Sequence, residues 1–325
     1  MLKGWDMCRR LASIDLGTHT ARLLIAEWDE AYQRIIPIAR YRTYVHLGDA
    51  FHGTNHHDGN LSMSAAVRVV NAFREFNRAV HEFGVETTIA AATGVIRQAG
   101  NRDEFLRVLK EETGIDVRVM SGEEEARLTV TGVSHAIHRG NDPHLVVDLG
   151  GGSTEFVLVQ EHVWQTWSIA VGASVLTERF LHTDPPGKQA AWSLRKFIRQ
   201  HLVIELDRTP LQQVISMVGT GGTIVTIGAL VHNISGNNLD PDHVNGLEVA
   251  RGSIQELLAQ TIALKRQERV RRYGLDGWRA HVFPAGLLLA AEIMDFFGMD
   301  QLTVCFSDIL EGLIWKYVED KGYAN

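Results

Sequence analysis

Cysteine is almost missing from this chain: Cys8 and Cys305 are the only two in 325 residues. Two cysteines make no disulfide framework and point to a reducing compartment. Positive charge is short as well. Against 39 Asp and Glu stand 32 Lys and Arg, a formal net charge of −7. That balance argues against a nucleic-acid binder, whose footprint is a basic excess, so no DNA partner is expected. It leaves room for a local basic patch facing a polyanionic ligand. No apolar run reads as long enough to span a membrane. Met1 to Arg10, interrupted by Trp5 and Asp6, has no signal-peptide core. A cytoplasmic enzyme with no membrane partner is the expectation.

Apolar residues make up 45% of the chain and charged residues 22%, as in an ordinary globular protein. The length exceeds what one core usually serves, so two domains are expected. The most informative stretch runs from Leu145 to Val159: an apolar run, Asp148, the triplet Gly150, Gly151 and Gly152, then Ser153, Thr154, Glu155 and a second apolar run. Apolar runs of this length read as buried strands and the glycines as a tight turn. Without Cβ atoms the turn lets backbone N–H groups approach an anion. Ser153 adds a hydroxyl, and Asp148 suits a hard cation such as Mg²⁺. An ordinary glycine hairpin between two core strands is the competing reading.

The same pattern occurs earlier. Leu11 to Leu16 runs into Asp15, Gly17, Thr18, His19 and Thr20, and the apolar pattern resumes from Ala21. At a single offset, Asp15 falls on Asp148, Gly17 on Gly150 and Thr20 on Ser153. An internal duplication explains this, with chance similarity of two strand–turn–strand units as the alternative. Read coarsely, residues 12–138 give three strands, helix, strand, helix, strand, helix. Residues 144–320 repeat that order with extra helices. Two similar α/β domains facing a cleft are expected, with residues 1–122 and about 307–325 in one and 123–306 in the other.

Other residues bear on chemistry. A strand over 86–93 leads into Gly94 and Arg97. An arginine fork there suits phosphate oxygens, though a plain surface arginine is the simpler reading. Ser121 with Glu124 forms a capping box at the start of a helix, and Glu123 to Glu125 favour the positive end of its dipole. Glu125 is the carboxylate left over, one turn inside the helix and placed to act as general base on water. Gly219 to Thr223, between a strand and a helix, is a ready anion site of moderate specificity. His52, His56, His57 and Asp58 cluster in a turn-rich loop; a solvated loop is a better reading than a metal site, because no second ligand cluster has partner spacing. An apolar helix is expected over 283–297 with Pro284 in its first turn, and a single amphipathic helix over 246–264.

Taken together, these segments resemble the exopolyphosphatase and guanosine pentaphosphate phosphatase family, of the actin, sugar-kinase and Hsp70 fold superfamily. Ser13–Arg22 looks like its first phosphate motif and Ser121–Leu128 its catalytic-glutamate segment. Val147–Glu155 looks like its second phosphate motif, Gly219–Thr223 its third glycine turn, and Arg279–Gly286 its late motif. Five motifs in order are strong where one is weak. The resemblance implies a duplicated, ribonuclease H-like two-domain architecture with an interdomain cleft. It implies a phosphohydrolase acting on polyphosphate or guanosine pentaphosphate with Mg²⁺, or Mn²⁺ in its place, and a homodimer, as family members often are. By position it assigns Glu125 as base and Arg97 as a substrate contact. It assigns Gly17, Thr18, His19, Thr20, Gly150, Gly151, Gly152, Ser153, Gly221, Gly222 and Thr223 to phosphate binding, and Asp148, Glu155 and Asp15 to the metal. His19-Thr20 stands where the family's first loop usually reads Asn-Ser. The long members continue into an HD-type helical region, which this sequence does not reach. A same-fold ATP-dependent kinase and a non-catalytic polyphosphate or guanosine-pentaphosphate sensor are the alternatives.

Overall fold

The computed structural model describes residues 8–48, 59–140, 142–160, 163–206, 214–234 and 239–324. The loop histidines His52, His56 and His57, with Asp58, lie outside the described residues. The chain divides into two units: Met1–Gly132 with Ile309–Asn325, and Val133–Asp308.

In the first unit the early apolar segments form β1 (Cys8–Leu16), β2 (Thr20–Asp29) and β3 (Arg34–Tyr44), an antiparallel meander in which Leu11 to Leu16 are continuously buried and β3 is the exposed edge. Helix α1 (Met63–Glu82) follows. Its N-cap is Ser62, whose hydroxyl accepts from the Ala65 N–H, and its face of Val69, Phe73, Phe76 and Val80 is buried. Next come β4 (Thr87–Ala92), the short α2 (Val95–Gln98), α3 (Arg102–Thr113), stopped by Gly114 in a left-handed conformation, and β5 (Val117–Val119). The sheet order is β3-β2-β1-β4-β5, with β4 parallel to β1 and β5 parallel to β4.

Helix α4 (Gly122–Ala136) leads out of the first unit; the boundary falls inside it. The second unit repeats the meander as β6 (His144–Leu149), β7 (Thr154–Gln160) and β8 (Val163–Ile169). Then come α5 (Ala173–Phe180), α6 (Lys188–Leu206), β9 (Ser216–Thr220), α7 (Gly222–Val231) and α8 (Pro241–Val244). β10 (Glu248–Ala250), α9 (Arg251–Ile262), α10 (Arg266–Tyr273), α11 (Gly277–Phe297) and β11 (Gln301–Val304) complete it. Its sheet reads β8-β7-β6-β9-β11, the order of the first unit, with β10 added antiparallel at the edge. The duplication read from one sequence offset is therefore a duplication of topology. Helix α12 (Ile309–Asp320) belongs to the first unit, where Leu310, Ile314 and Trp315 pack with Leu11, Leu24 and Trp28. A side chain at Gly312 would collide with the Leu128 carbonyl, so the helix approaches α4 at backbone distance.

Three expectations need correction. The helix expected over 246–264 begins instead with β10, whose three residues pair with β11 through Glu248–Thr303, Val249–Leu302 and Ala250–Gln301. Helix α11 starts at Gly277, not near Pro284, because Asp276 caps it by accepting from the Arg279 N–H. Pro284 thus sits inside the helix, where it removes one backbone bond. Third, α11 is 21 residues long and by length and composition could cross a membrane. Most of it is buried within the second unit among Ile224, Ile254, Leu258 and their neighbours, as a core helix.

Candidate functional site

The two glycine turns are built alike. In the second unit Gly150 N–H donates to the Ser153 carbonyl at 3.1 Å; in the first, Gly17 N–H donates to the Thr20 carbonyl at 2.9 Å. Beyond that bond they diverge. The Gly150 carbonyl accepts from Ala173 N–H at 3.0 Å, and the Gly151 carbonyl accepts from Ser174 and Val175 at 2.9 and 3.2 Å. The turn's oxygens thus face the start of α5. A Cβ at Gly172 would lie 2.6 Å from the Gly152 nitrogen and closer still to Gly151, so only glycine allows this approach. With the carbonyls committed, the N–H groups of Gly151, Gly152 and Ser153 meet no protein acceptor among the described residues. Successive unclaimed amides form an anion-binding concavity.

The third glycine turn adds to it. Gly221 has φ +90°, and a side chain there would meet the Leu149 carbonyl oxygen at 2.6 Å and Asp148 Oδ1 at 2.8 Å. The turn is packed against the end of β6, beside Asp148. It starts α7 without a side-chain cap, leaving the first N–H groups of that helix available to an anion. Gly222 lies under the guanidinium of Arg279, which a side chain at Gly222 would overlap. An arginine over a helix N-terminus is chemistry suited to phosphate. Arg279 was visible in sequence only as the first letter of the late motif; its reach to Gly222 depends on α11 starting early.

In the first unit, Glu123, Glu124 and Glu125 separate as the capping logic requires. Glu123 pairs with Arg127 at 2.7 Å. Glu124 accepts from the Ser121 N–H at 2.9 Å, and Glu124 N–H donates to Ser121 Oγ at 3.1 Å, completing the capping box. The Ser121 N–H is the main reason the Glu124 carboxyl lies below the usual carboxylate range. Glu125 instead accepts from Arg97 Nη1 at 2.9 Å, and the same nitrogen donates to the Met120 carbonyl at 3.0 Å. Arg97 is held there because Gly94, at φ +53°, turns the chain from β4 into α2; a Cβ at Gly94 would run into the Thr18 hydroxyl. So Arg97 and Glu125, far apart in sequence, form one pair.

His19 is only 6% exposed. Its carbonyl accepts from Val45 and His46 N–H groups, and its ring lies against Gly48, 3.0 Å from where a Cβ would stand. The His19 ring thus packs against the backbone at Gly48 beside the first glycine turn.

The sequence profile of the Ppx/GppA phosphatase family matches residues 24–321. The chain belongs to the Ppx/GppA phosphatase family. It is 31% identical over 315 residues to Exopolyphosphatase 2 of Mycobacterium tuberculosis, covering 94% of this chain and 97% of that protein. The crystal structure of the Aquifex aeolicus Ppx/GppA family member superposes with a TM-score of 0.80 at 30% identity, over 97% of this chain and 99% of that one. An exopolyphosphatase from Cytophaga hutchinsonii gives 0.84 at 23% identity, over 98% and 100%, and speaks for the fold alone.

The fold family implies a divalent metal, and the oxygens present can be tested for it. Asp148 and Glu155 face each other in register across β6 and β7, and Glu155 Oε1 accepts from Ser153 and Ser168 hydroxyls at 2.6 and 3.0 Å. One or two carboxylates beside a phosphate are what Mg²⁺ usually takes from a protein, so this pair fits. No group of three or more acids, His or Cys suited to a metal exists among the described residues. Asp15 fits poorly. Its partner in register, at the position equivalent to Glu155, is Arg22, which bonds Asp15 Oδ2 at 3.0 and 2.7 Å. A guanidinium already pairs with that carboxylate, so the acid pair of Asp148 and Glu155 is not repeated at the equivalent Asp15 and Arg22.

Proposed function

We propose that this protein is a phosphohydrolase that removes the terminal phosphate of inorganic polyphosphate, and that guanosine pentaphosphate is a second substrate of the same residues. The observation that carries the reading is the set of unclaimed amides of Gly151, Gly152 and Ser153 beside Asp148 and the Arg279-covered turn at Gly222. Those groups bind and neutralise a terminal phosphoryl group and stabilise charge that spreads over its oxygens in the transition state. Glu125 is the general base: a water oxygen forms the new P–O bond, its proton passes to a Glu125 carboxylate oxygen, and the anhydride P–O bond breaks. The leaving group departs with the bond's electron pair as the shortened chain's phosphate. Arg97 orients the Glu125 carboxylate through the 2.9 Å bond and contacts substrate phosphate. Asp148 and Glu155 would hold Mg²⁺, or Mn²⁺, which when bound neutralises phosphate charge.

The names of the relatives support the hydrolase, and the start of α4 at three glutamates fits a base better than an ATP-dependent kinase site. The test is phosphate release from long polyphosphate, short polyphosphate and guanosine pentaphosphate by wild type and Glu125→Gln. Loss of the base is expected to lower kcat by at least about 10²-fold with KM little changed. Release by Glu125→Gln at the wild-type rate would remove Glu125 from the role. Binding without release by the wild type, under Mg²⁺ and Mn²⁺, would turn the reading to a sensor.

A further inference from the structure

The segment Lys265 to Arg279 concentrates positive charge in a chain of net charge −7. It holds six Lys and Arg against two acids, Glu268 and Asp276. Both acids are committed to helix starts: Glu268 accepts from Lys265 N–H at 2.7 Å and Asp276 from Arg279 N–H at 2.8 Å. Of the cations, Arg269 is buried, donates to the Leu264 carbonyl and pairs with Asp184 at 3.1 Å. It anchors α10. Lys265, Arg266, Arg271 and Arg272 are exposed. Among the described residues no carboxylate lies within ion-pairing distance of these four side chains. Arg271 and Arg272 lie in the last turn of α10, where the helix dipole favours cations, and Arg272 Nη2 donates to Gln260 Oε1 at 2.9 Å, so the positive charge is presented to solvent without a neutralising acid.

The position of this helix is as telling as its charge. Arg266 Nε donates to the Gly277 carbonyl at 2.7 Å, and its Nη2 would lie 3.3 Å from a Cβ at Gly277. Gly277 is in the same helical turn as Arg279, whose guanidinium covers Gly222 of the phosphate cradle. Positive charge therefore continues from the cradle, through the first turn of α11, onto the exposed side chains of α10, all within the second unit.

We propose that Lys265, Arg266, Arg271 and Arg272 form a docking patch for the part of a linear polyphosphate beyond its reacting end, so that affinity rises with chain length. The proposal rests on the polyphosphate reading given above. A chain bearing a negative charge at every phosphate matches a run of exposed cations without specific geometry, and binding of this kind weakens with salt as counterions are released. A substrate too short to extend past Arg279 gains nothing from the patch.

The experiment compares wild type with Arg271→Gln/Arg272→Gln, and with Arg107→Gln, an exposed cation of α3, as a control for lost charge. KM and kcat are measured on tripolyphosphate and on chains of hundreds of phosphates over a range of KCl. The double variant is expected to raise the long-chain KM by about five- to ten-fold, with a shallower salt dependence, and to leave tripolyphosphate within about two-fold. Equal change on both lengths, no change, or the same change in Arg107→Gln overturns the patch and leaves the hydrolase reading standing. If the wild type releases phosphate from neither chain, the hydrolase reading fails. Direct binding of long polyphosphate then decides the patch, and binding equally tight in wild type and double variant overturns it. Weakened binding of single-stranded RNA with polyphosphate binding unchanged also overturns it. Equal thermal midpoints establish that the variants fold.

Discussion

At the scale of single residues, Gly221 ties fold to chemistry. Its φ of +90° and the 2.6 Å approach to the Leu149 carbonyl leave no room for a Cβ. Gly221→Ala is expected to destabilise the protein by about 1–3 kcal/mol and to displace the turn from Asp148. A urea denaturation series checks the first effect and the KM for polyphosphate the second. His281 supplies a pH test. Burial first, then the neighbouring Arg266 and Arg269, lower its pKa, with Asp184 opposing. The folded state therefore binds that proton less readily than the unfolded chain. Stability is unaffected above the ordinary histidine pKa of about 6.5 and falls as pH drops from there through the folded value. His281→Gln is expected to flatten part of that fall in thermal midpoints measured across the window; an unchanged slope would clear His281 of the effect. The capping box that leaves Glu125 over and the glycine triplet are local patterns that residue identity makes readable, whereas Arg97 reads as a plain surface arginine until the family resemblance singles it out. Arg279's contact with Gly222 and Arg22's hold on Asp15 are not local. Each depends on a strand register or a helix start that the sequence pattern leaves open.

At the scale of elements, α4 and α11 show how helices are fixed. Ser121→Ala removes one half of the capping box and is expected to cost about 1 kcal/mol. Glu124, held below the usual carboxylate range mainly by the Ser121 N–H, supports stability above the ordinary carboxylate pKa, and that support is lost as pH falls through the folded value. Glu124→Gln should accordingly reduce the acid-side slope in a pH series of melts. In α11 the fully buried Glu292 is bonded by Arg195 at 2.6 Å and by Arg199, both from α6. Replacing both arginines by Met strands the carboxylate and is expected to cost about 3–5 kcal/mol; adding Glu292→Leu should recover most of it. Denaturant midpoints of the two variants against wild type decide this. Most elements were legible because their apolar periods are regular. β10 was not: it offers only three residues, one of them facing inward, and the helical pattern of α9 runs straight into it. The start of α11 was hidden by Pro284, a residue that more often opens a helix than sits within one.

At the scale of the whole molecule, the repeated strand order was readable because one offset aligned two Asp-Leu-Gly turns. The return of the chain to the first unit was expected only through the repeated domain pattern, since α12 itself carries no motif. Deleting residues 309–325 uncovers Leu11, Leu24 and Trp28. It is expected to abolish the near-UV signal of Trp28 and to induce dye binding to exposed apolar surface, while a protein that keeps both unchanged would show α12 to be dispensable. The interrupted layout of the first unit also sets an order of events at the ribosome. Synthesis runs from the N-terminus, so Val133–Asp308 is available in full before Ile309 is added. The second unit is the earliest that can reach its native core. The strands made first must wait for the helix made last, and through the whole of translation between them they are the part of the nascent chain with most need of a chaperone.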